Sequence, residues 1–238
     1  TDKRQINKWV EDYGLESDFI KVRVLGEFPS GGSASLIKRD DITAAVMRNL
    51  EESIYIHAPR ILGVDVARFG EDKTVIARRQ GLKLYDLKKY SSLDTLEVSD
   101  ALIREINDFK PDGVFIDMGG VGAGVYDRLK WMGYNVTGID FAGRPERKDK
   151  YINKRAEMWC SMADWLKMAD IPHDSDLKED LAGPEYYFRG DNAQILLEKK
   201  QDMKKRGLAS PDCADALALT FAGSVRADKR QLPSVMLR

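Results

Sequence analysis

The sequence predicts an α/β fold whose central mixed β-sheet is antiparallel in its first three strands, parallel afterwards, and flanked by helices on both faces. Three apolar stretches joined by tight turns follow one another over residues 61–90, which is typical of an antiparallel meander. Over residues 94–139, helical and extended patterns alternate, as in parallel strands connected by helices. The predicted order is therefore β-β-β-α-β-α-β.

The first three strands are predicted at 61–67, 73–79 and 82–90. Gly70 and Gly81 lie between them, where tight turns need a residue that tolerates unusual backbone angles. The first strand is apolar on both sides of Asp65, which indicates that both faces of the sheet are buried there.

The second half of the pattern begins at Asp94, a good N-cap for a helix with near-helical apolar spacing up to Phe109. The elements predicted after that helix are a strand over 113–117, a helix over 125–132, a strand over 134–139, a long helix over 151–168, a hairpin around 189–192 and a last helix over 211–225.

Composition excludes several classes of protein. With 238 residues, 43% hydrophobic and 32% charged, the chain is predicted to fold around one main hydrophobic core. The apolar runs are too short to cross a membrane, so no membrane partner is expected.

Cys160 and Cys213 show neither a disulfide framework nor zinc-ligand spacing, which favours a reducing compartment. With 38 basic and 39 acidic residues, the net charge does not by itself point to a nucleic-acid partner, so any such argument depends on local clusters of basic residues.

The pattern changes near Pro59 and after Arg226, which predicts three parts: residues 1–58, 59–227 and 228–238. The first part combines a polar helix, a loop at 29–33 and a short helix capped by Asp41, and it is interpreted as a linker or the tail of a preceding domain. The first residue is Thr rather than Met, so we expect the chain to be a fragment of something longer.

Two pairs of acids are the candidate chemistry. Asp65 is costly within an apolar strand unless something compensates its charge, and Asp117 ends a strand expected to be its neighbour. Asp212 and Asp215 share one face near the start of the last helix. Four converging carboxylates would repel one another, and an oxygen-only set suits Mg²⁺ or Mn²⁺. Taken singly, Asp117 is more typical of a turn or a helix cap, and Asp212 is equally typical of an N-cap.

Three other features do not match the catalytic or nucleotide-binding motifs that they partly resemble. His57 and His173 have no Ser or Cys arrangement beside them that indicates a triad. The run 119–124 lacks the spacing of a dinucleotide fingerprint and is predicted to form a close-packed loop beside Asp117. The segment 26–33 has Walker-A length but carries Gly32 where a lysine is required, so no ATPase site is expected.

Several segments together resemble the nuclease domain of tailed-phage large terminase subunits. In chain order, these segments are Gly63–Asp72, which contains Asp65, then Val114–Asp117, Asn153–Trp159, Glu198–Gly207 and Ser210–Leu219. Residues 1–58 resemble the stretch that joins the family's ATPase motor to its nuclease. The resemblance implies a ribonuclease-H-like fold and cleavage of duplex DNA with little sequence specificity during viral genome packaging.

The resemblance also implies cofactors and partners. Asp65, Asp117 and at least one of Asp212 and Asp215 would hold two divalent ions, with Asp72 as an accessory ligand. The implied partners are double-stranded DNA, the ATPase domain of the same full-length chain, the portal and the small terminase subunit. The implied location is the host cytoplasm, and we expect the isolated fragment to be a monomer.

Two basic clusters, residues 144–155 and 199–206, would hold DNA phosphates if they flank the acids, although either could be an ordinary solvated surface. The candidate DNA-binding residues are Arg144, Lys148, Lys154, Arg155, Lys199, Lys200, Lys204, Lys205 and Arg206.

Three other interpretations stay open. A Holliday-junction resolvase would carry similar acids but acts as a dimer, and an actin-like ATPase shares the order of strands but needs a second nucleotide-binding half. A non-enzymatic interaction module is disfavoured by Asp65 within an apolar strand.

Overall fold

The computed structural model describes residues 2–15, 20, 24–25, 35–67, 73–189 and 193–227. Ahead of the sheet come α1 (Lys3–Tyr13), α2 (Arg39–Met47) and a short 3₁₀ helix (Glu52–Ile54). The sheet contains β1 (Arg60–Asp65), β2 (Thr74–Gln80), β3 (Lys83–Tyr90), β4 (Gly113–Asp117) and β5 (Thr137–Ile139), with α3 (Thr95–Phe109) and α4 (Gly122–Trp131) in its connections. After it come α5 (Lys154–Leu166), α6 (Ser175–Ala182), β6 (Tyr186–Arg189), β7 (Gln194–Leu197), α7 (Lys200–Lys205) and α8 (Asp212–Leu219).

The five strands lie in the order β3-β2-β1-β4-β5. β1 pairs antiparallel with β2 and β2 with β3, whereas β4 pairs parallel with β1 and with β5. This arrangement confirms the predicted mixed sheet, including the prediction that the first and fourth strands are neighbours. The predicted hairpin is also present, as β6 pairs antiparallel with β7.

Both faces of the sheet are covered, and the alternation along each strand explains how. Leu62 and Val64 of β1 point into a buried cluster shared with α3 and α4. Ile61 points to the opposite face, into a cluster shared with α5 and α8. The helices on this second face bring residues distant in the sequence to the end of β1.

Helix α2 is part of that second cluster. Its residues Ile42 and Ala45 are buried in the same group as Trp159 of α5, although they lie in the segment predicted to precede the main domain. The helix begins at Arg39, with Lys38 as N-cap, so the prediction that Asp41 caps it is wrong. Asp41 lies in its first turn, where a carboxylate favours the helix dipole.

Several predicted element ends are wrong: α4 begins at Gly122 rather than 125, β5 at Thr137 rather than 134, and α5 at Lys154 rather than 151. Two further differences have clear local reasons. β1 ends at Asp65, because the N–H of Ala67 turns to the Thr74 hydroxyl at 3.1 Å instead of continuing the ladder. The last helix ends at Leu219 rather than near residue 225. The guanidinium of Arg79 binds both the Thr220 hydroxyl, at 2.7 Å, and the Thr220 carbonyl, at 2.8 Å, which holds the chain at the helix end.

Helices α6 and α7 were absent from the predicted order because both are short and mostly polar. Asp174 caps α6 by accepting the N–H of Leu177 at 2.9 Å. Within the part of the chain that the structure describes, no helix combines the length and apolar character needed to cross a bilayer.

Candidate active site

Asp65 and Asp117 end two adjacent parallel strands. Val64 of β1 is in register with Ile116 of β4, so the next residue of each strand is an aspartate beside the other. Both carboxylates lie on the face of the sheet that α8 covers, since they alternate with residues on the opposite face. The two acids are therefore neighbours, as predicted, but Asp65 ends its strand instead of lying within it.

Gly63 allows α8 to approach this edge of the sheet. A Cβ atom at Gly63 would lie 2.1 Å from the Ala216 carbonyl oxygen, a distance that no side chain can occupy. The absence of a side chain lets the helix rest directly on β1. As a consequence, the first turn of α8 brings Asp212 and Asp215 to Asp65.

The Asp65 carboxylate is buried and poorly compensated. The residue is 5% exposed, and its Oδ2 has no hydrogen-bond partner among the described residues. Burial raises the pKa of Asp65 well above its usual value, and the charges of Asp215, Asp212 and Asp117 raise it further against the opposing effect of Lys200. An orphaned, buried oxygen of this kind suits a cation.

A glycine-rich loop surrounds Asp117, as predicted. The N–H of Gly119 donates to Asp117 Oδ1 at 3.0 Å, and a Cβ at Gly122 would lie 1.8 Å from the Asp117 carbonyl oxygen. Burial raises the pKa of Asp117 despite this hydrogen bond. Among the neighbouring charges that raise it further is Asp140, which directly follows β5 and was not a predicted site residue.

Asp212 points toward the acids rather than capping its helix. Pro211 occupies the N-cap position and no side chain of the cap closes the first turn of α8, so the N-cap interpretation of Asp212 is wrong. Asp212 Oδ2 accepts the backbone N–H of Lys73 at 2.9 Å. This contact, from the residue just before β2, fixes the carboxylate beside Asp65.

Asp215 is held from several sides and has no exposed surface. Its Oδ1 accepts hydrogen bonds from Trp159 Nε1 at 2.7 Å and Arg155 Nε at 3.1 Å. Its Oδ2 lies 2.9 Å from Lys200 Nζ. Although burial alone would raise the pKa of Asp215, the charges of Arg155 and Lys200 lower it, so this carboxylate stays ionised.

Lys200 places a cation at the centre of the acids. Besides Asp215, its Nζ lies 3.6 Å from Asp65 Oδ2 and 3.8 Å from Asp212 Oδ1. Burial would lower the pKa of Lys200, but the surrounding carboxylates raise it, so the ammonium is charged. Its sequence position in a run of lysines gave no indication that this one turns inward.

Several predicted DNA-binding residues are engaged in ion pairs within the protein. Arg155 is buried against Asp215. Lys154 binds Glu157 at 2.9 Å. The guanidinium of Arg206 binds Glu198 at 2.5 Å and Glu185 at 3.2 Å. Arg206 is nevertheless exposed, as are the predicted residues Arg144, Lys148, Lys199, Lys204 and Lys205, of which Lys205 also pairs with Asp202 at 2.7 Å. Asp72 lies outside the described residues.

The loop that carries Arg144 and Lys148 is fastened by Glu157 of α5. The Glu157 carboxylate accepts the N–H groups of Glu146 and Arg147, both at 2.9 Å. Burial would raise the pKa of Glu157, but these hydrogen bonds and the Lys154 ammonium lower it. The basic loop is therefore held to α5 by an ionised, largely buried carboxylate.

A second group of possible ligand atoms lies nearby. Asp174, Asp176 and Cys213 have ligand-type atoms within 4.8 Å of one another. The Lys89 ammonium binds Asp174 at 2.7 Å and Asp176 at 3.0 Å, and Lys73 binds Asp176 at 3.0 Å. These lysines already balance the carboxylates, so the group is a network of ion pairs joining α6 to the sheet.

No protein-family profile and no curated protein sequence matches the chain. Several solved structures do match the chain. The nuclease domain of the large terminase subunit gp2 of bacterial virus Sf6, as a variant with manganese and β-thujaplicinol, superposes with a TM-score of 0.69 at 20% identity, over 80% of this chain and 100% of that one.

The large terminase nuclease from thermophilic phage G20c gives a TM-score of 0.58 at 14% identity, over 79% of this chain and 97% of that one. The magnesium-bound form of that nuclease gives a TM-score of 0.55 at 15% identity, over 82% of this chain and 98% of that one. At these identities the likeness is one of fold. The chain therefore has the ribonuclease-H-like fold of terminase nuclease domains, as the sequence predicts.

Proposed function

We propose that this chain is a metal-dependent endonuclease that cuts duplex DNA, acting as the nuclease part of a large terminase subunit. The observation that supports it most strongly is the group of Asp65, Asp117 and Asp212 around one edge of the sheet, at the end of β1 and β4 and the start of α8. The shared fold with the Sf6 and G20c nuclease domains is consistent with this activity.

The donor set fits divalent ions such as Mg²⁺ or Mn²⁺. It consists of carboxylate oxygens, and Oδ2 of Asp65 offers a ligand position because it accepts no hydrogen bond among the described residues and faces the Lys200 ammonium at 3.6 Å. The Lys200 ammonium shows that the centre already stabilises positive charge. The Sf6 domain has been solved with manganese and the G20c domain with magnesium, which supports the same cofactors here. We propose two ions, held by Asp65, Asp117 and Asp212.

Two such ions, when bound, activate water and stabilise the leaving oxygen of a phosphodiester. The residues of the chain supply the rest. The carboxylates of Asp65 and Asp117 are held in place by the rigid sheet, and the N–H of Lys73 orients the Asp212 carboxylate opposite them. No protein nucleophile is required.

We assign Asp215 a different role from the other three acids. Both of its oxygens are engaged, by Trp159 and Arg155 on one side and by Lys200 on the other. It therefore anchors Lys200. The ammonium is closer to Asp215 than to Asp65 or Asp212, so it can release those two carboxylates to metal ions while keeping its own partner.

The DNA would be held through its phosphates. The exposed cations Arg144 and Lys148 lie on the loop that precedes α5, and Lys199, Lys204 and Lys205 lie on or beside α7. Because α7 also carries Lys200, a surface of this kind would adjoin the acids. We expect backbone-directed, salt-sensitive binding with little reading of base sequence.

The wider context follows from the same proposal. Residues 1–58 would connect an ATPase motor to the nuclease domain at 59–227, and 228–238 would be a tail. The portal and the small terminase subunit would be partners, and the protein would cut concatemeric DNA in the host cytoplasm during viral assembly.

The test is cleavage of supercoiled and linear duplex DNA by the purified protein with Mn²⁺ or Mg²⁺. We expect nicking and cutting that EDTA abolishes, and loss of both in Asp65→Ala and Asp117→Ala, whose folds should remain stable because each substitution relieves like-charge repulsion. Asp164→Asn, on the exposed side of α5, is the matched control and should cut normally. Retained cleavage by Asp65→Ala would refute the assigned role.

Two further substrates separate this proposal from its rivals. Preference for four-way junctions over linear duplexes, together with a dimeric solution mass, would favour a resolvase. ATP hydrolysis without DNA cleavage would favour an actin-like ATPase.

A further inference from the structure

Helix α8 receives its N-terminal cap from another helix. The first backbone N–H groups of a helix have no partner within it, and Pro211 supplies no side-chain acceptor. Asp180, near the end of α6, fills this role, since its Oδ2 accepts the N–H of Cys213 at 2.8 Å. Burial and the charges of Asp212 and Asp215 raise the pKa of Asp180 to about 7, whereas the backbone N–H groups of Cys213 and Ala214 lower it.

The helix that carries Asp180 is firmly packed against the rest of the protein. Leu177 and Leu181, the neighbours of Asp180 on α6, are fully buried in the cluster that also contains Leu217 of α8. The Asp174 cap fixes the beginning of α6. The carboxylate therefore reaches α8 from a packed helix, and it has little freedom to move away.

The chemical type of this cap is notable because of its neighbours. An asparagine, which has the same reach, would satisfy the same N–H groups without charge. A carboxylate beside Asp212 and Asp215 adds repulsion to a region already rich in negative charge. In its ionised form it is also a stronger acceptor than a neutral amide for N–H groups at a helix start, where the dipole favours an anion.

We propose that Asp180 is a positioning residue for the candidate metal site. It holds the first turn of α8 in place, so that Asp212 is presented to Asp65 at a fixed position, while the N–H of Lys73 orients the Asp212 carboxylate from the other side. This inference rests on the proposed function, because it assigns Asp212 to the binding of divalent ions.

Position 180 can be substituted without leaving a void in the apolar core. Asp180 and Asp212 both line a cavity of about 500 Å³ that opens between α6, α8 and the start of β2. A smaller residue at 180 would enlarge a polar, open space instead of leaving a void in the apolar core. We therefore expect Asp180→Ala to fold, with a looser first turn in α8.

The test measures Mn²⁺ binding directly, by calorimetric titration, in Asp180→Ala, Asp180→Asn and a matched control, Glu179→Ala. Glu179 lies on the same helix and lines the same cavity. We expect Asp180→Ala to weaken Mn²⁺ binding about fivefold, the ratio that corresponds to a typical N-cap contribution of about 1 kcal/mol. Asp180→Asn, which keeps an acceptor, should bind within about twofold of wild type, as should Glu179→Ala.

Unchanged binding in Asp180→Ala would overturn the inference, and so would a defect in Asp180→Asn as large as that in Asp180→Ala. If the alanine variant does not fold in EDTA, Asp180→Ser replaces it, because its hydroxyl is too short to reach the same N–H groups. Failure of the wild-type protein to bind Mn²⁺ would instead refute the proposed function, and with it the role of Asp180.

Discussion

Lys200 places its ammonium 2.9 Å from Oδ2 of Asp215, a carboxylate with no exposed surface. The pair puts a permanent positive charge among the acids that we assign to metal binding. In the metal-free protein this charge offsets the repulsion between Asp65 and Asp212. Metal ions must then compete with Lys200 for those two carboxylates.

Replacing Lys200 by alanine should therefore have opposite effects on stability and on metal binding. Without metal, the loss of the central cation should lower the free energy of unfolding by roughly 1–3 kcal/mol, because buried carboxylates lose their partner. Mn²⁺ should bind more tightly and raise the melting temperature more than it does in wild type. Thermal unfolding in EDTA and in Mn²⁺ measures both effects, and Lys199→Ala, on the exposed neighbour, is the control.

A side chain at Gly63 should separate α8 from the sheet. Its Cβ would meet the Ala216 carbonyl at 2.1 Å and the Thr220 side chain at 2.9 Å, so the helix or the strand must shift. We expect Gly63→Ala to lower the free energy of unfolding by about 3 kcal/mol or more, as overpacking of a tight backbone contact does. Urea unfolding measures this change.

Gly124→Ala is the matched substitution for that experiment. It lies within α4, and the nearest atom to its Cβ would be a Thr95 methyl group at 4.0 Å. Since alanine favours helices over glycine, this variant should be as stable as wild type or more stable, by up to about 1 kcal/mol. Equal losses in both variants would contradict the close-packing account of Gly63.

Glu157 should make part of the stability depend on pH. Because its pKa in the folded protein is lowered, its contribution is present at pH values above the unfolded pKa and disappears as the pH falls through the folded one. At pH 7, Glu157→Gln should lower the free energy of unfolding by about 1–3 kcal/mol. Below about pH 4 the difference from wild type should shrink.

Urea unfolding at several pH values tests this expectation. The control is Glu146→Gln, on a side chain that is 75% exposed. A difference between wild type and Glu157→Gln that stays constant from pH 7 to pH 3 would show that the carboxylate does not titrate with folding.

The exposed lysines of α7 should contribute to DNA affinity through phosphates. Each neutralised phosphate contact adds about 0.9 to the slope of log affinity against log salt. Replacing Lys204 and Lys205 by alanine should weaken binding equally across sequences and flatten that slope by up to about two. Binding isotherms at four salt concentrations measure it.

The comparison variant for the salt experiment replaces Arg144 and Lys148, on the loop that Glu157 holds. An unchanged slope in the Lys204 and Lys205 double variant would show that this surface is merely solvated. In that case a flattened slope in the Arg144 and Lys148 variant would assign the phosphate contacts to the loop.

The sheet was predictable because its information is local. The apolar stretches, the turn glycines and the Asp94 cap each act over a few residues, and they give the order of strands and the adjacency of Asp65 and Asp117. The glycine run beside Asp117 was predictable for the same reason, since several glycines together indicate close packing.

The surroundings of the acids were less accessible to sequence reasoning. Lys200, Arg155 and Asp180 acquire their roles through contacts between residues far apart in the chain. Lys200 and Asp180 also lie on short helices with weak patterns. A cluster of lysines and arginines indicates a solvated or DNA-binding surface equally well. Only the packing of α5, α7 and α8 shows which cations turn inward.

Anomalous scattering from a crystal of this protein soaked in Mn²⁺ would show whether Asp65, Asp117 and Asp212 bind divalent metal ions. We expect manganese in contact with these three carboxylates, with Lys200 displaced from Asp65 and Asp212 but still paired with Asp215. Manganese bound only at Asp174, Asp176 and Cys213, or no manganese beside Asp65, would contradict this expectation.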